Sequence, residues 1–175
     1  SQRLFREDLR LLVMSATLDC AAVTSLLSDA TTISCEGRLF PVTTHYLDRP
    51  IDGHIEPAVV RSIKAALAKE SGSLLVFLPG MAEIRRVEGQ LHEGRLDPDV
   101  IIAPLHGELP QAEQDQAIRP APSGSRKIVL ATSIAETSLT IEGVRVVIDA
   151  GLMRIPRFDP RTGLTRLDTI RVTLD

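Results

Sequence analysis

A doubly wound parallel α/β sheet flanked by helices, followed by a C-terminal β-hairpin, is predicted by three observations. Apolar strand-like runs alternate with amphipathic helical runs through short links, as parallel strands joined by crossover helices do. Two runs, Leu74-Leu75-Val76-Phe77-Leu78 and Ile128-Val129-Leu130-Ala131, are continuously apolar, which marks strands buried on both faces. Beyond residue 150 the helical period stops, and segments 152–159 and 164–172 flank the turn Pro160-Arg161-Thr162-Gly163.

The elements follow in order. A strand at 10–14, a helix at 19–28 and a strand at 31–34 are expected to form a remnant of one lobe over residues 1–36. Residues 37–41, Gly37 to Pro41, read as a linker, and residues 42–175 as a second lobe opening on a strand at 42–47. Helix 56–69 places Val59, Val60, Ile63, Ala66 and Leu67 along one face. Strand 74–78 leads through Pro79-Gly80 into helix 81–93, with Met81, Ile84, Val87 and Leu91 turned inward. Strand 100–103 precedes a helix from Pro110 to Ile118, proline being suited to a first helical turn. The loop Pro120-Ala121-Pro122-Ser123-Gly124-Ser125 separates that helix from strand 127–132, helix 134–139 and strand 144–149.

Composition limits the function. The 175 residues suffice for one domain and a remnant, with 43% hydrophobic and 25% charged residues, as in a soluble globular protein. No apolar run approaches the roughly 20 residues of a membrane span, and the first residues lack signal-peptide character. A cytoplasmic, membrane-free protein is expected. Cys20 and Cys35 are too isolated for a disulfide framework or a zinc site. His45, His54, His92 and His106 form no metal-ligand pattern, so no metal site is expected.

The chemistry concentrates between Lys127 and Gly151. An apolar strand ends at Thr132-Ser133, and Ser133-Ile134-Ala135-Glu136 fits a capping box. A strand that runs into a helix start sets free backbone N–H groups and hydroxyls at the carboxyl edge of a sheet, where phosphates are held. An ordinary strand–loop–helix connection would carry the same hydroxyls. The wording itself favours the first reading. ATSIAETSLTI followed by VVIDAG resembles motif V of the DEAH-box helicases of superfamily 2.

Other signatures of that family stand in the expected order. Leu11-Leu12-Val13-Met14 with Ser15-Ala16-Thr17 resembles motif III, and Leu74 to Gly80 resembles motif IV. His106-Gly107-Glu108-Leu109-Pro110 resembles a loop after the next strand, and Arg157 to Leu164 the turn of a hairpin beyond motif V. The resemblance covers nearly the whole chain and is strongest to the HrpB branch of the bacterial enzymes. It implies RecA-like lobes: the end of the first and most of the second.

Site residues follow from the resemblance. Ser15, Ala16 and Thr17 would couple nucleotide state to lobe movement. Gly80, Gly107, Thr132 and Ser133, with Arg157 and Arg161 on the hairpin, would contact single-stranded nucleic acid, RNA rather than DNA. Such contacts hold sugar and phosphate without reading bases. Gly80 offers close backbone approach, while Gly107 serves equally well as a turn glycine. Ser138, Thr140 and Glu142 would face the nucleotide, Glu142 standing where relatives often carry Asp. Ile118 stands where many eukaryotic relatives place a Phe on the adenine; an aliphatic side chain gives no ring stacking, which implies loose choice among nucleoside triphosphates.

The net charge of −3 is weak support for nucleic-acid binding, but the segment from Arg145 to Arg171 is locally basic. It carries Arg145, Arg154, Arg157, Arg161, Arg166 and Arg171 against Asp149, Asp159 and Asp168. The chain contains no G-x-x-x-x-G-K-[ST], no Asp-Glu-Ala-His and no arginine-rich motif VI. It therefore holds no catalytic residues of its own, and ATP with Mg²⁺ would require the first RecA-like lobe and C-terminal domains of a full-length enzyme. The alternative is a non-catalytic α/β module that binds a nucleotide or a protein.

Overall fold

The computed structural model describes residues 12–14, 31–33, 40–48, 51, 53–133 and 141–172. Backbone contacts divide the chain into two compact units, Ser1–Tyr46 and Leu47–Asp175. In the first unit residues 12–14, 31–33 and 40–46 carry no strand and are exposed. The strand expected at 42–47 is therefore not formed, and the described parts of those at 10–14 and 31–34 are not strands either. Their apolar residues fit a strand, but a strand exists only where a neighbour completes its hydrogen-bond ladder. No such neighbour pairs with them among the described residues.

The second unit runs α1 (Glu56–Lys69), β1 (Ser73–Phe77), α2 (Met81–Glu93), β2 (Val100–Leu105), α3 (Gln111–Ile118), β3 (Arg126–Ala131) and β4 (Val144–Asp149). The hairpin strands β5 (Leu152–Asp159) and β6 (Leu164–Arg171) follow. Strands β1 to β4 form one parallel sheet in the order β2-β3-β1-β4. The helix expected at 134–139 lies outside the described residues.

Helices pack on both faces. Leu74, Val76, Ile128 and Leu130 meet Val59, Val60 and Ile63 of α1 and Ile84, Val87 and Leu91 of α2. On the opposite face Leu75, Leu105, Val129 and Ala131 pack with Ala117 of α3 and Ile141. Both central strands, β1 and β3, are thus apolar on successive residues because each face is covered.

Two boundaries depart from expectation for identifiable reasons. β2 continues to Leu105 through Pro104, whose missing N–H is tolerated because β2 is an edge strand among the described residues. Pro110 caps α3 rather than entering it, its carbonyl accepting from the N–H groups of Glu113 and Gln114 at 2.9 and 3.1 Å.

β3 begins with two cations that point to opposite faces, as successive strand residues must. Arg126 donates from Nε to the carbonyl of Gly72 and from its two terminal nitrogens to those of Leu67 and Glu70, each at 2.8 Å. It thereby satisfies the carboxyl end of α1. Lys127 Nζ donates to the carbonyls of Gln116, Ala117 and Arg119 at 3.0, 3.3 and 2.7 Å, closing the carboxyl end of α3. Cations are favoured at this end of a helix dipole, where carbonyls lack intrahelical partners. Burial of Lys127 nonetheless lowers its pKa.

β5 and β6 pair antiparallel from Leu152↔Arg171 to Asp159↔Leu164. Their four-residue loop is closed by Asp159, whose carbonyl accepts from Thr162 N–H at 3.2 Å and Gly163 N–H at 2.9 Å. Gly163 sits at φ +68°, a left-handed conformation that glycine adopts without steric cost.

Candidate nucleic-acid interface

The loops that leave β2, β3 and β1 emerge side by side at the carboxyl edge of the sheet, because those strands are neighbours in that order. Neighbouring strands lie about 4.8 Å apart, so the three loops form a row about 10 Å long. In open α/β sheets that edge is where ligands bind.

Thr132 is the first residue beyond β3, half-buried, with its N–H donating to the Leu105 carbonyl at 3.2 Å. Ser133 follows and is exposed. Across the β1 side, Leu78 N–H donates to the Ala131 carbonyl at 2.8 Å, and Pro79 follows beside Ser133. Ser133 and Pro79 line one small cavity with Asp149, Met153 and Arg154. Gly107 lies exposed in a turn closed by Leu109 N–H on the His106 carbonyl at 3.1 Å. The structure thus brings Gly80, Thr132, Ser133 and Gly107 onto one edge, although they span 54 positions of the chain.

Gly80 is buried, extended (φ −173°), and stands at the amino end of α2. The space its absent side chain leaves is already filled: a Cβ there would lie 2.8 Å from Arg154 Cζ and 3.1 Å from Glu83 Oε2. Close approach does explain the glycine, but the approaching group within this chain is a guanidinium.

The hairpin arginines divide into two sets. Arg157 and Arg166 share Asp168, at 3.6 and 3.2 Å. Arg161 occupies the loop, its N–H donating to Asp159 Oδ1 at 3.0 Å, with its guanidinium 91% exposed. These pairs face water, where they are worth little, so Arg157 and Arg161 stay available to a phosphate. Arg154 belongs to the other set and does not contribute a free surface charge. It turns back to α2 and donates to Glu83 Oε1 at 3.1 Å. Arg145 lies on β4, its stem packed across Gly72.

Glu83 Oε1 also accepts from Arg86 Nη2 at 2.7 Å, while Arg86 Nε donates to Glu56 at the start of α1. Burial raises the pKa of the Glu56 carboxyl. Its own backbone N–H and the Arg86 guanidinium outweigh that and hold it below the usual carboxylate range. The bond to Glu56 likewise raises the pKa of Arg86.

The candidate nucleotide residues lie elsewhere. Glu142 is exposed in the turn before β4, at the amino edge of the sheet. A six-residue strand separates that edge from Thr132 by about 20 Å. Ile118 ends α3 near the same edge, partly buried against the cluster that contains Ile141. Chain folding thus gathers Ile118 and Glu142 toward one end, apart from the hydroxyl-bearing loops. Ser15, Ala16, Thr17, Ser138 and Thr140 lie outside the described residues. The Glu83–Arg154 pair was missed by sequence reasoning, since nothing in local spacing links positions 71 residues apart.

Comparison with known proteins bears on the family and the fold. Residues 58–163 match the family model of the helicase conserved C-terminal domain. The ATP-dependent RNA helicase HrpB of Escherichia coli is 52% identical over 98% of this chain, which spans 21% of that protein. A pre-mRNA-splicing factor ATP-dependent RNA helicase of Schizosaccharomyces pombe is 37% identical over 93% of the chain, covering 14% of its own length. A crystal structure of the Escherichia coli DEAH/RHA helicase HrpB superposes with a TM-score of 0.83 at 52% identity, over 98% of this chain and 22% of that one. A second, of the same organism's DExH-box NTPase HrpB, gives 0.78 over 98% and 21%. The chain spans about a fifth of the length of these HrpB relatives. The fold is accordingly RecA-like. With the family model covering most of the second unit, the chain belongs to the helicase conserved C-terminal domain family, in which it is similar to the DEAH-box HrpB helicases.

Proposed function

We propose that this chain is the second RecA-like lobe of an ATP-dependent RNA helicase. It grips the sugar-phosphate backbone of a single strand and completes an ATP site shared with a first lobe. The observation that carries the reading is the row of loops ending β2, β3 and β1, with Gly107, Thr132, Ser133 and Gly80 on one edge. The hydroxyls of Thr132 and Ser133 and the exposed turn at Gly107 would donate to successive phosphates without sequence preference, with Gly80 shaping the adjoining loop from beneath Arg154. Binding of this kind needs little net positive charge, which reconciles it with a chain of net charge −3.

ATP and Mg²⁺ are assigned to the full-length enzyme. Among the described residues no cluster of His, Cys, Asp or Glu suits a metal ion. Glu142 is able to accept both hydroxyl hydrogens of a ribose, and Ile118 offers an aliphatic surface near the same edge. Glu142 and Ile118 thus serve the ribose and base side, while Ser138, which by resemblance would sense the γ-phosphate, and Thr140 lie outside the described residues. When bound, Mg²⁺·ATP would supply the energy of phosphoryl transfer that parts the two lobes.

The test is fluorescence anisotropy of this chain with labelled single-stranded RNA and DNA over a salt series, alongside ATP hydrolysis. Salt-sensitive RNA binding is expected, with no hydrolysis by the chain and RNA-stimulated hydrolysis by the full-length protein. Absence of nucleic-acid binding from both would overturn the reading. With Ile118 in place of an aromatic ring, the full-length protein is also expected to turn over ATP, GTP and CTP at rates within about tenfold. Strict dependence on ATP would refute that assignment.

A further inference from the structure

The hairpin is joined to the helices by one side-chain hydrogen bond among the described residues, Arg154 to Glu83. The other hairpin arginines with ion pairs, Arg157, Arg161 and Arg166, pair only within the hairpin. A two-stranded hairpin is marginal alone in water, so its direction depends on what holds its base. Leu152 supplies an apolar contact with the main core. Two residues further on, Arg154 reaches across the bare Cα of Gly80 to the first turn of α2. Beyond it Pro156, Arg157 and Phe158 are exposed.

Glu83 is well suited to hold this bond. Its side chain is 11% exposed, and Arg86 fixes it from the far side through the same oxygen. Arg86 is itself tied to Glu56, which is 2% exposed, and Glu56 Oε2 lies 3.6 Å from His54 Nδ1. An ionic chain therefore runs from the start of α1 through α2 to the hairpin base. Two guanidinium groups share a carboxylate oxygen, and both bonds are charge-assisted.

We propose that Arg154 is a positioning residue that locks the hairpin to the Pro79–Gly80 loop, so that the loop and the hairpin move as one body. Gly80 is required because any side chain would displace the guanidinium. The inference deepens the proposed function: a loop that steps along a strand carries the hairpin with it, coupling translocation to strand separation. Arg154 acts through the hairpin and touches neither nucleotide nor reacting atoms.

The test uses the full-length protein and compares Arg154→Met, Arg154→Lys, Gly80→Ala and the double variant G80A/R154M. Arg154 is one-third exposed, and an added Cβ at Gly80 meets only the far end of that flexible side chain and Glu83 Oε2, so these variants should fold. Hydrogen exchange over residues 152–158 should accelerate about tenfold in R154M and G80A, the size expected for losing one hydrogen bond to a charged group. Base pairs separated per nucleotide hydrolysed should fall in both, recover in part in R154K, and fall no further in the double variant. Unchanged hairpin exchange, additive effects in the double variant, or unaltered coupling in an active protein would each overturn the proposal. A wild-type protein without nucleic-acid-dependent activity would instead overturn the helicase reading, and exchange would still decide whether Arg154 locks the hairpin.

Discussion

Replacing Arg126 and Lys127 together with methionine is expected to lower the unfolding free energy of the chain by about 3 kcal/mol. Arg126 contributes the larger part, about 2 kcal/mol, because it leaves three carbonyls around the end of α1 without their donors. Lys127 contributes less. It also serves three carbonyls, but its buried ammonium carries a desolvation penalty that methionine does not. The two side chains lie on opposite faces of the sheet and share no partner, so their effects should add. Urea titration measures this directly: at a slope of about 2 kcal/mol per molar, the midpoint of the double variant falls by about 1.5 M with the slope unchanged. A loss well short of additivity would mean that the two helix ends are not closed independently.

The same lysine has a pH signature of definite sign. Its folded pKa is lowered, so between that value and the unfolded value the unfolded chain binds more protons. Stability attributable to Lys127 must then rise with pH across that window, and the penalty is carried in full below the folded pKa. The difference between wild type and K127M should show that rise on the alkaline side and be flat at neutral pH. A difference that fell with rising pH would show the ammonium to be stabilised by its carbonyls more than burial costs it.

The parts of this fold legible in the sequence are those whose cause is local. The stripe Val59, Val60, Ile63 declares α1, and Ile84, Val87, Leu91 declares α2, because helix period and burial coincide. The continuous apolar runs of β1 and β3 declare a sheet covered on both faces. Segment 42–47 shows the limit: its β-type residues find no ladder partner among the described residues, and a partner is a tertiary fact. Pro104 hides the end of β2 for a related reason, since whether a strand lies at an edge is decided by sheet order. The carboxyl-edge loops were legible through motif wording, and the structure supplies their adjacency. Arg154 was not. Counted by composition it is one more basic residue on a hairpin, and only the folded chain brings Glu83 and Gly80 beneath it.

Salt dependence separates the two kinds of phosphate contact proposed for this lobe. Thr132 and Ser133 carry no charge, so their contacts release no counterions when they form. In the full-length protein the double variant T132A/S133A is expected to weaken single-stranded RNA binding about thirtyfold, as for two hydrogen bonds to charged acceptors in a water-exposed groove. That factor should be nearly the same at every salt concentration. Arg157 and Arg161 behave differently, because each phosphate they neutralise frees condensed ions. Replacing both with methionine should reduce the slope of log K against log salt by about 1.4, at about 0.7 per phosphate on a single strand. The existing pair of Arg157 with Asp168 changes this little, being exposed and weak. Fluorescence anisotropy at four or five salt concentrations resolves both outcomes in one experiment. A changed slope in T132A/S133A would mean that those hydroxyls act by placing a cation rather than by donating to phosphate. An unchanged slope without Arg157 and Arg161 would remove the hairpin loop from the interface and leave the carboxyl-edge row as the whole of this lobe's grip.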